Sequence, residues 1–391
     1  MVHRALALWL LLLGFGTAAG ADGPVVIGET RRIHSTVLNE DRVYRVSLPE
    51  SYGWAKDRRY PVLFLLDGQT HFLHVAGSVG YLAQQGDIPE MIVVGLDSTV
   101  RIRDFTQTDW PSVWVGGGGA GNFKRFVSTE LIPDVDKTYR TDKFRVLSGH
   151  SAGGQFALYC LTSDPSLFRA YFAISSSLDW DNNLPQRSLE QSLKATRELK
   201  AFLYVARSDD SGKPLADYER LVKTLKDNSP QGFRWFERAY PDETHGSVAL
   251  LAQIDALRQL YAGYRFHPDM APKGLSFAEQ HFRDVSKRVG WPLAVPEGVI
   301  NELGYAALSQ RKTQDAISLF KRNVEANPNS ADAHDSLSEG YAKAGMWKDA
   351  ARASDRAAAL AVEFDHPNRS HFIDRARKMN ERLKQGSENP K

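Results

Sequence analysis

The chain has 391 residues, a length that accommodates two or three domains. Its composition, 42% hydrophobic and 25% charged, is that of an ordinary globular protein with enough apolar side chains for a large core. The formal net charge of +2 excludes the strongly basic class that binds nucleic acids or anionic membrane surfaces. Cys160 is the only cysteine, so no internal disulfide can form, and its apolar neighbours predict a buried structural thiol.

The first residues have the pattern of a secretory signal peptide. Arg4 gives a positive start, residues 5–15 are almost wholly apolar, and residues 19–21 read Ala-Gly-Ala, an A-x-A cleavage site. The apolar run is shorter than the roughly 20 residues that a membrane-spanning helix needs. We therefore predict a signal peptide over residues 1–21, export to the periplasm or the medium, and no membrane span.

Short apolar segments recur through the next part of the chain, and such segments are typical of strands buried on both faces of a parallel sheet. They cover residues 61–66, 91–96, 144–147, 171–174, 201–205 and 234–238. Helical patterns lie between them; in residues 122–135, for example, Phe123, Phe126, Val127 and Leu131 fall on one face. This alternation predicts an α/β fold with a mainly parallel sheet over residues 22–265.

The character of the chain changes after about residue 265. Residues 266–296 are polar and contain four prolines, which indicates a connector. Residues 297–385 then contain a pattern that repeats after 34 residues, from Leu303 to Leu337 and from Ala316 to Ala350. This spacing predicts a small all-α module of tetratricopeptide-like repeats, and the alternative is an ordinary helical bundle. Repeats of this kind bury their apolar faces only by stacking on one another. Two repeats alone leave a face to be covered, so we expect the module to offer a surface for a protein partner.

One motif carries the chemistry, and it reads Gly149-His150-Ser151-Ala152-Gly153. A predicted strand precedes this G-x-S-x-G sequence and a helical stretch follows it, the context that a nucleophile elbow requires. The tight turn leaves little room for side chains at the glycines. The turn also presents the serine at a helix N-terminus, where free N–H groups favour developing negative charge. We therefore predict that Ser151 is a nucleophile.

A serine hydroxyl needs a base, and in folds with this elbow the acid and then the histidine follow the serine along the chain. His245 lies in a turn-rich segment after the last predicted strand, which makes it the predicted base. Asp209 follows the strand over residues 201–205 and is the predicted acid, with Asp210 and Asp217 as alternatives.

The negative oxygen that forms during acyl transfer needs two N–H donors. The backbone of Ala152, directly after the nucleophile, is predicted to supply one of them. The turn after the strand over residues 61–66 supplies the other, from Gly68 or Gln69.

Four segments resemble the putative-esterase branch of the α/β-hydrolases, which contains siderophore esterases, feruloyl esterases, S-formylglutathione hydrolase and mycolyl transferases. The segments are Leu65-Leu-Asp-Gly68, Arg101-x-Arg-Asp-x-Thr106, Gly149-His-Ser-Ala-Gly-Gly154 and Glu243-Thr-His-Gly-Ser247. The resemblance covers roughly residues 25–265 and is greatest to the siderophore-esterase group. It implies an α/β-hydrolase fold and cleavage of an ester.

The sequence thus predicts an exported serine esterase whose substrate is a small ester of siderophore or aryl type. One alternative is an acyltransferase with the same triad, and another is a repeat-based binding scaffold with a vestigial hydrolase domain. No cofactor is predicted. His71 and His74 have helical spacing, but no third ligand is evident, so no metal is predicted either. For Arg101 and Arg103 the sequence predicts one of two roles, binding of an acidic substrate or pairing with local carboxylates such as Asp104.

Overall fold

The computed structural model describes residues 24–113 and 116–388. The predicted signal peptide, residues 1–21, lies outside the described residues. Within those residues no helix combines the length and the apolar character needed to cross a membrane.

An eight-stranded sheet forms the centre of the molecule, with the order β1-β2-β4-β3-β5-β6-β7-β8. The first two strands run antiparallel to their neighbours, and the strands from β4 to β8 pair in parallel, so the mainly parallel sheet is confirmed. The strands are β1 (Glu29–Ser35), β2 (Glu40–Ser47), β3 (Tyr60–Leu65), β4 (Ile92–Leu96), β5 (Thr141–His150), β6 (Ala170–Ile174), β7 (Phe202–Arg207) and β8 (Arg234–Ala239).

Helices cover both faces of the sheet. Those of this region are α1 (Gly68–Gln84), α2 (Arg101–Phe105), α3 (Ala120–Phe126), α4 (Ile132–Thr138), α5 (Ala152–Ser163), α6 (Trp180–Ala195), α7 (Gly212–Asn228), α8 (Val248–Leu260) and α9 (Leu275–Val289). A π-helical turn, Val127–Leu131, joins α3 to α4. Alternate residues of a strand point to opposite faces. In β3, Val62 and Phe64 enter the core under α3 to α7, whereas Leu63 and Leu65 enter the core under α1, α8 and α9.

The segment predicted as a connector, residues 266–296, differs from that description because it contains α9. Ala278, Phe282 and Val285 repeat at intervals of four and three residues, and all three are buried in the same hydrophobic cluster as α8. The prolines that suggested a connector lie outside this helix. Helix α9 therefore packs with α8 in the core on one face of the sheet.

Five further helices form an all-helical C-terminal module: α10 (Glu297–Ser309), α11 (Thr313–Ala326), α12 (Ala331–Lys343), α13 (Trp347–Glu363) and α14 (Arg369–Glu388). Helices α10 and α11 pack closely, because a Cβ at Gly304 would overlap the ring of Phe320. A Cβ at Gly340, on α12, would also lie 2.9 Å from Cδ2 of Phe320. The module packs against the α/β region, since Leu303 of α10 belongs to the cluster that contains α8 and α9.

Because β3, β5, β6, β7 and β8 are parallel, their carboxyl ends meet at one edge of the sheet. The residues that follow these strands include Asp67, Ser151, Ser175, Ser208 and the loop with His245. The fold therefore gathers the polar residues of this region at a single edge.

Candidate active site

Ser151 occupies a tight turn between β5 and α5. Its backbone has φ 60° and ψ −120°, a conformation that costs free energy for a residue with a side chain. The Ser151 N–H donates to the carbonyl of Ile174 at 2.9 Å, and the Ser151 carbonyl accepts from the N–H of Ser177 at 3.1 Å. These bonds tie the turn to the end of β6, so the strain is held by the surrounding structure.

The glycines of the motif have a steric reason. A Cβ at Gly149 would overlap the carbonyl group of Gly153, because the strand and the helix that flank Ser151 approach each other closely. A Cβ at Gly154 would overlap the hydroxyl of Ser176. The turn thus has the geometry of a nucleophile elbow, with Ser151 at its apex.

The predicted oxyanion donors lie at two helix N-termini, where the first N–H groups have no partner within their helix. Ala152 opens α5, and Gly68 opens α1 after Asp67, whose φ of 54° turns the chain. A Cβ at Gly153 would lie 3.4 Å from Oδ2 of Asp67, so the two N-termini are neighbours. The side chain of Gln69 binds the backbone of Ser98, whose N–H its Oε1 accepts at 2.9 Å.

Gly68 cannot be replaced without moving the backbone. A Cβ at this position would lie 2.5 Å from the carbonyl carbon of Gly95 on the neighbouring strand β4. The close approach fixes the start of α1 against the sheet. The N–H groups of the turn are therefore held in one place relative to the elbow.

His245 lies in the loop between β8 and α8 and is exposed to solvent. Its Nδ1 is 3.0 Å from Oγ of Ser175, the residue directly after β6. Its ring lies 4.7 Å from the ring of His150, measured between centroids. Over the described part of the chain no hydrogen bond joins His245 to Ser151, whose Oγ lies 3.4 Å from Oγ of Ser177. Because His150 is the residue before Ser151, its contact with His245 places the predicted base beside the elbow. The hydrogen bond between His245 and Ser151 is not formed in this structure.

The predicted acid does not contact the predicted base. Among residues 24–113 and 116–388, no carboxylate oxygen lies within 4.0 Å of a ring nitrogen of His245. Asp209 is exposed, and its N–H donates to the Glu243 carbonyl at 2.9 Å. Asp210 accepts the N–H of Ser208 at 3.3 Å. Asp217 is buried on α7 but pairs with Lys213, one turn away, at 2.6 Å.

Sequence reasoning missed Ser175. It is the first of three consecutive serines, Ser175 to Ser177, and each one meets a different part of the site. Ser175 contacts His245, Ser176 fills the space beside Gly154, and Ser177 lies against Ser151. Nothing in the local sequence distinguishes the first serine from the other two.

Two more histidines, His71 and His74, extend from His150 into the interior. Nδ1 of His71 lies 3.1 Å from Nε2 of His74, and the His71 ring is 5.7 Å from that of His150. Burial lowers the pKa of His150 and of His74 to about 4, and it also lowers the pKa of His71. These rings are therefore neutral near pH 7. In the part of the chain that the structure describes, no group of three or more His, Cys, Asp or Glu side chains is arranged to hold a metal ion.

The two arginines pair with local carboxylates. Arg101 Nε lies 2.9 Å from Oδ1 of Asp67, and Arg101 Nη2 donates to the His150 carbonyl at 2.9 Å. Arg103 pairs with Glu40 and Asp104. Arg101 therefore joins the end of β3 to the end of β5 beside the elbow.

The chain is similar to known esterases. The model of the family described as "Putative esterase" matches residues 35–244, a segment that includes Ser151 and stops one residue before His245. The ferri-bacillibactin esterase BesA of Bacillus subtilis is 29% identical over 285 residues, which are 65% of this chain and 95% of that protein. The apo-salmochelin esterase of Escherichia coli O6:H1 is 30% identical over 230 residues, covering 53% of this chain and 71% of that protein.

A solved structure is also similar. It is that of an IroE-like serine hydrolase from Shewanella oneidensis, which is 28% identical and has a TM-score of 0.68. The match covers 76% of this chain and 99% of the other. The α/β-hydrolase fold expected from the sequence is confirmed by this similarity together with the sheet topology.

Proposed function

We propose that this chain, which belongs to the "Putative esterase" family and is a carboxylic ester hydrolase, cleaves a siderophore-type ester through an acyl-enzyme on Ser151. The observation that carries the proposal is the strained turn at Ser151. A serine is kept at φ 60° between a buried strand and two neighbouring helix N-termini. A strained residue of this kind persists where the surrounding structure enforces it, and such residues cluster at active sites.

In the proposed reaction, Oγ of Ser151 attacks the ester carbonyl carbon while Nε2 of His245 takes the hydroxyl proton. The N–H group of Ala152 and that of Gly68 or Gln69 donate to the carbonyl oxygen as it becomes negative. The alcohol leaves with the proton from His245, and an acyl group remains on Ser151. A water molecule then gives a proton to His245 and attacks the acyl group, and His245 returns that proton to Oγ of Ser151 as the acid is released.

The bond between Ser151 and His245 has to form for this reaction. Catalytic hydrogen bonds are often long in the free enzyme and tighten when the substrate binds. The exposed position of His245 on a loop leaves room for that adjustment. For the group that orients His245, Asp209 stays the prediction from the sequence.

The siderophore substrate rests on the relatives. Two of them are named as esterases of ferri-bacillibactin and of apo-salmochelin. The first is similar over 95% of its own length, so the resemblance extends beyond the short motifs around the nucleophile. We therefore propose a siderophore-type ester as the substrate of this chain.

The export predicted from the sequence agrees with the same role. Arg4, the apolar residues 5–15 and the small residues 19–21 have the order of a signal peptide. We propose that the enzyme acts in the periplasm or outside the cell after cleavage near Ala21. Detection of the mature N-terminus by mass spectrometry of the exported protein tests this proposal.

The C-terminal module is proposed to be tetratricopeptide-like and to bind a protein partner. Its helical hairpins carry equivalent residues 34 positions apart, such as Ala316 and Ala350, and both of these alanines are fully buried. Burial of small residues at equivalent places is what stacked repeats require.

The test of the proposed function is a comparison of substrates on the purified protein. Bacillibactin with and without iron, salmochelin and a p-nitrophenyl ester are incubated with the enzyme, and the acids and alcohols released are identified by mass spectrometry. We expect hydrolysis of at least one siderophore with a higher kcat/KM than the aryl ester. Hydrolysis of the aryl ester alone contradicts the siderophore substrate but not the esterase.

A further inference from the structure

We infer that the hydroxyl of Ser175 orients His245 for catalysis, in the role that a carboxylate has in a Ser-His-Asp triad. The inference rests on the proposed function, because it assumes that His245 is the base for Ser151. It assigns a positioning role to Ser175, which contacts the base rather than the substrate.

The contact lies on the correct side of the ring. For Nε2 to accept the proton of Ser151, the neutral imidazole has to carry its own proton on Nδ1. Nδ1 of His245 is the atom 3.0 Å from Oγ of Ser175. In this arrangement Nδ1–H donates to the Ser175 hydroxyl, which fixes both the tautomer and the direction of the ring.

The Ser175 hydroxyl has a second partner for its own proton. Its Oγ lies 3.4 Å from Oγ of Ser208, and both hydroxyls are buried. Ser208 directly follows β7, next to the residue predicted as the acid. The hydroxyls of Ser175 and Ser208 therefore lie next to each other at the ends of the neighbouring strands β6 and β7.

The backbone holds Ser175 in position. Its φ of 41° is in the left-handed region, which is costly for a serine, and its N–H donates to the carbonyl of Ala206 at 2.8 Å. The preceding residue, Ile174, accepts the N–H of Ser151 at 2.9 Å. Ile174, which binds the backbone of Ser151, and Ser175, which binds the ring of His245, are thus consecutive residues. One short piece of backbone therefore places the nucleophile and the base relative to each other.

Among the described residues, the carboxylates near the His245 ring do not bind it. Asp210 accepts the N–H of Ser208, and Asp209 is exposed and contacts Glu243 through its backbone. A hydroxyl can select the tautomer and orient the ring, but it adds no negative charge beside the protonated ring. This difference gives the inference a measurable signature.

The experiment compares three changes at position 175 in the full chain, with kcat and KM on one chromogenic ester measured across pH. Ser175→Ala and Ser175→Gly remove the hydroxyl, and glycine tolerates the positive φ if alanine does not. We expect each to lower kcat on the order of 10- to 100-fold, less than most of the roughly 10²–10⁴ that a general base contributes, because His245 itself is kept, and we expect KM to change little. Ser175→Asp should recover part of kcat and move the acid limb of the pH profile to higher pH, because a carboxylate favours the protonated ring.

A control removes another fully buried serine hydroxyl, that of Ser354 on α13 in the C-terminal module. Ser354→Ala should leave kcat and the pH profile unchanged. The inference is overturned if Ser175→Gly keeps the kcat of the wild type, or if Asp209→Asn causes the loss and the changes at Ser175 do not. Those results leave the proposed function intact as long as Ser151→Ala and His245→Ala are inactive. Activity in Ser151→Ala would instead contradict the proposed function itself.

Discussion

Nε2 of His150 lies 2.6 Å from the backbone carbonyl oxygen of His245. The residue before the proposed nucleophile therefore binds the loop that carries the proposed base. This contact joins the end of β5 to the loop after β8, across the intervening strands β6 and β7.

Replacement of His150 by phenylalanine keeps an aromatic ring and removes the N–H donor. We expect kcat to fall about two- to tenfold, because a hydrogen bond contributes roughly 0.5–1.5 kcal/mol and its loss frees the His245 loop. His150→Gln, which can still donate, should recover part of the rate. Steady-state kinetics of the two variants on one ester provide the measurement. Equal rates in both would show that the donor has no role in holding the loop.

The stability of the protein should depend on pH through the buried histidines. Burial lowers the pKa of His150 to about 4 in the folded chain, against about 6.5 in the unfolded chain. Between these values the unfolded chain binds a proton that the folded chain does not, so the free energy of unfolding decreases as the pH falls. For His150 the decrease is at most about 1.4 kcal/mol per pH unit.

The measurement is urea unfolding of the wild type and of His150→Gln between pH 7 and pH 4. Both proteins lose stability as carboxylates and the other histidines titrate, but the wild type should lose more for each pH unit. Parallel curves would show that His150 binds protons equally in the folded and unfolded chains.

Gly149 and Gly77 provide a matched pair for the geometry of the elbow. A Cβ at Gly149 would overlap backbone atoms of Gly153, whereas a Cβ at Gly77, inside α1, would have no atom within 4 Å. We expect Gly149→Ala to destabilise the protein by about 1–3 kcal/mol, as overpacking does, and to lower activity. Gly77→Ala should be neutral or stabilise it by up to about 1 kcal/mol, since alanine favours the helix. Thermal unfolding of both variants measures the difference, and equal melting temperatures would contradict it.

Phe282 tests whether residues 266–296 are a connector or part of the core. Its side chain is buried between α9 and the hydrolase domain, whereas Phe277 on the same helix is only partly buried. We expect Phe282→Ala to cost about 3–5 kcal/mol of the free energy of unfolding, and Phe277→Ala to cost clearly less. Urea unfolding of the two full-length variants decides the question. A solvated connector would make both changes nearly neutral.

The strands were predictable because the sheet is buried on both faces. Residues 61–66 and 91–96 are continuous apolar runs, and they became β3 (Tyr60–Leu65) and β4 (Ile92–Leu96). Helix α9 was not predicted, because the prolines on either side of it concealed its apolar spacing. In that segment the proline content indicated a connector, although the spacing of Ala278, Phe282 and Val285 is that of a helix.

The site was predictable where a local motif carries the information. The sequence predicts Ser151 as the nucleophile because the elbow needs glycines at fixed positions near the serine, and these lie next to it in the sequence. The partner of His245 could not be recognised in the same way. Ser175 reaches the ring because β6 ends at the same edge of the sheet as β8, two strands away, and because its backbone adopts a positive φ. Neither property can be read from three serines in a row.

The central claim is that Ser151 is the nucleophile, and covalent labelling tests it most directly. A fluorophosphonate reacts with an activated serine, and mass spectrometry of the digested protein identifies the residue that carries the label. The account predicts labelling of Ser151 in the wild type and in Ser177→Ala, and no labelling of Ser151→Ala, although the Ser177 hydroxyl lies 3.4 Å from that of Ser151. Undiminished labelling of Ser151→Ala, or a label on Ser177 in the wild type, would contradict the account.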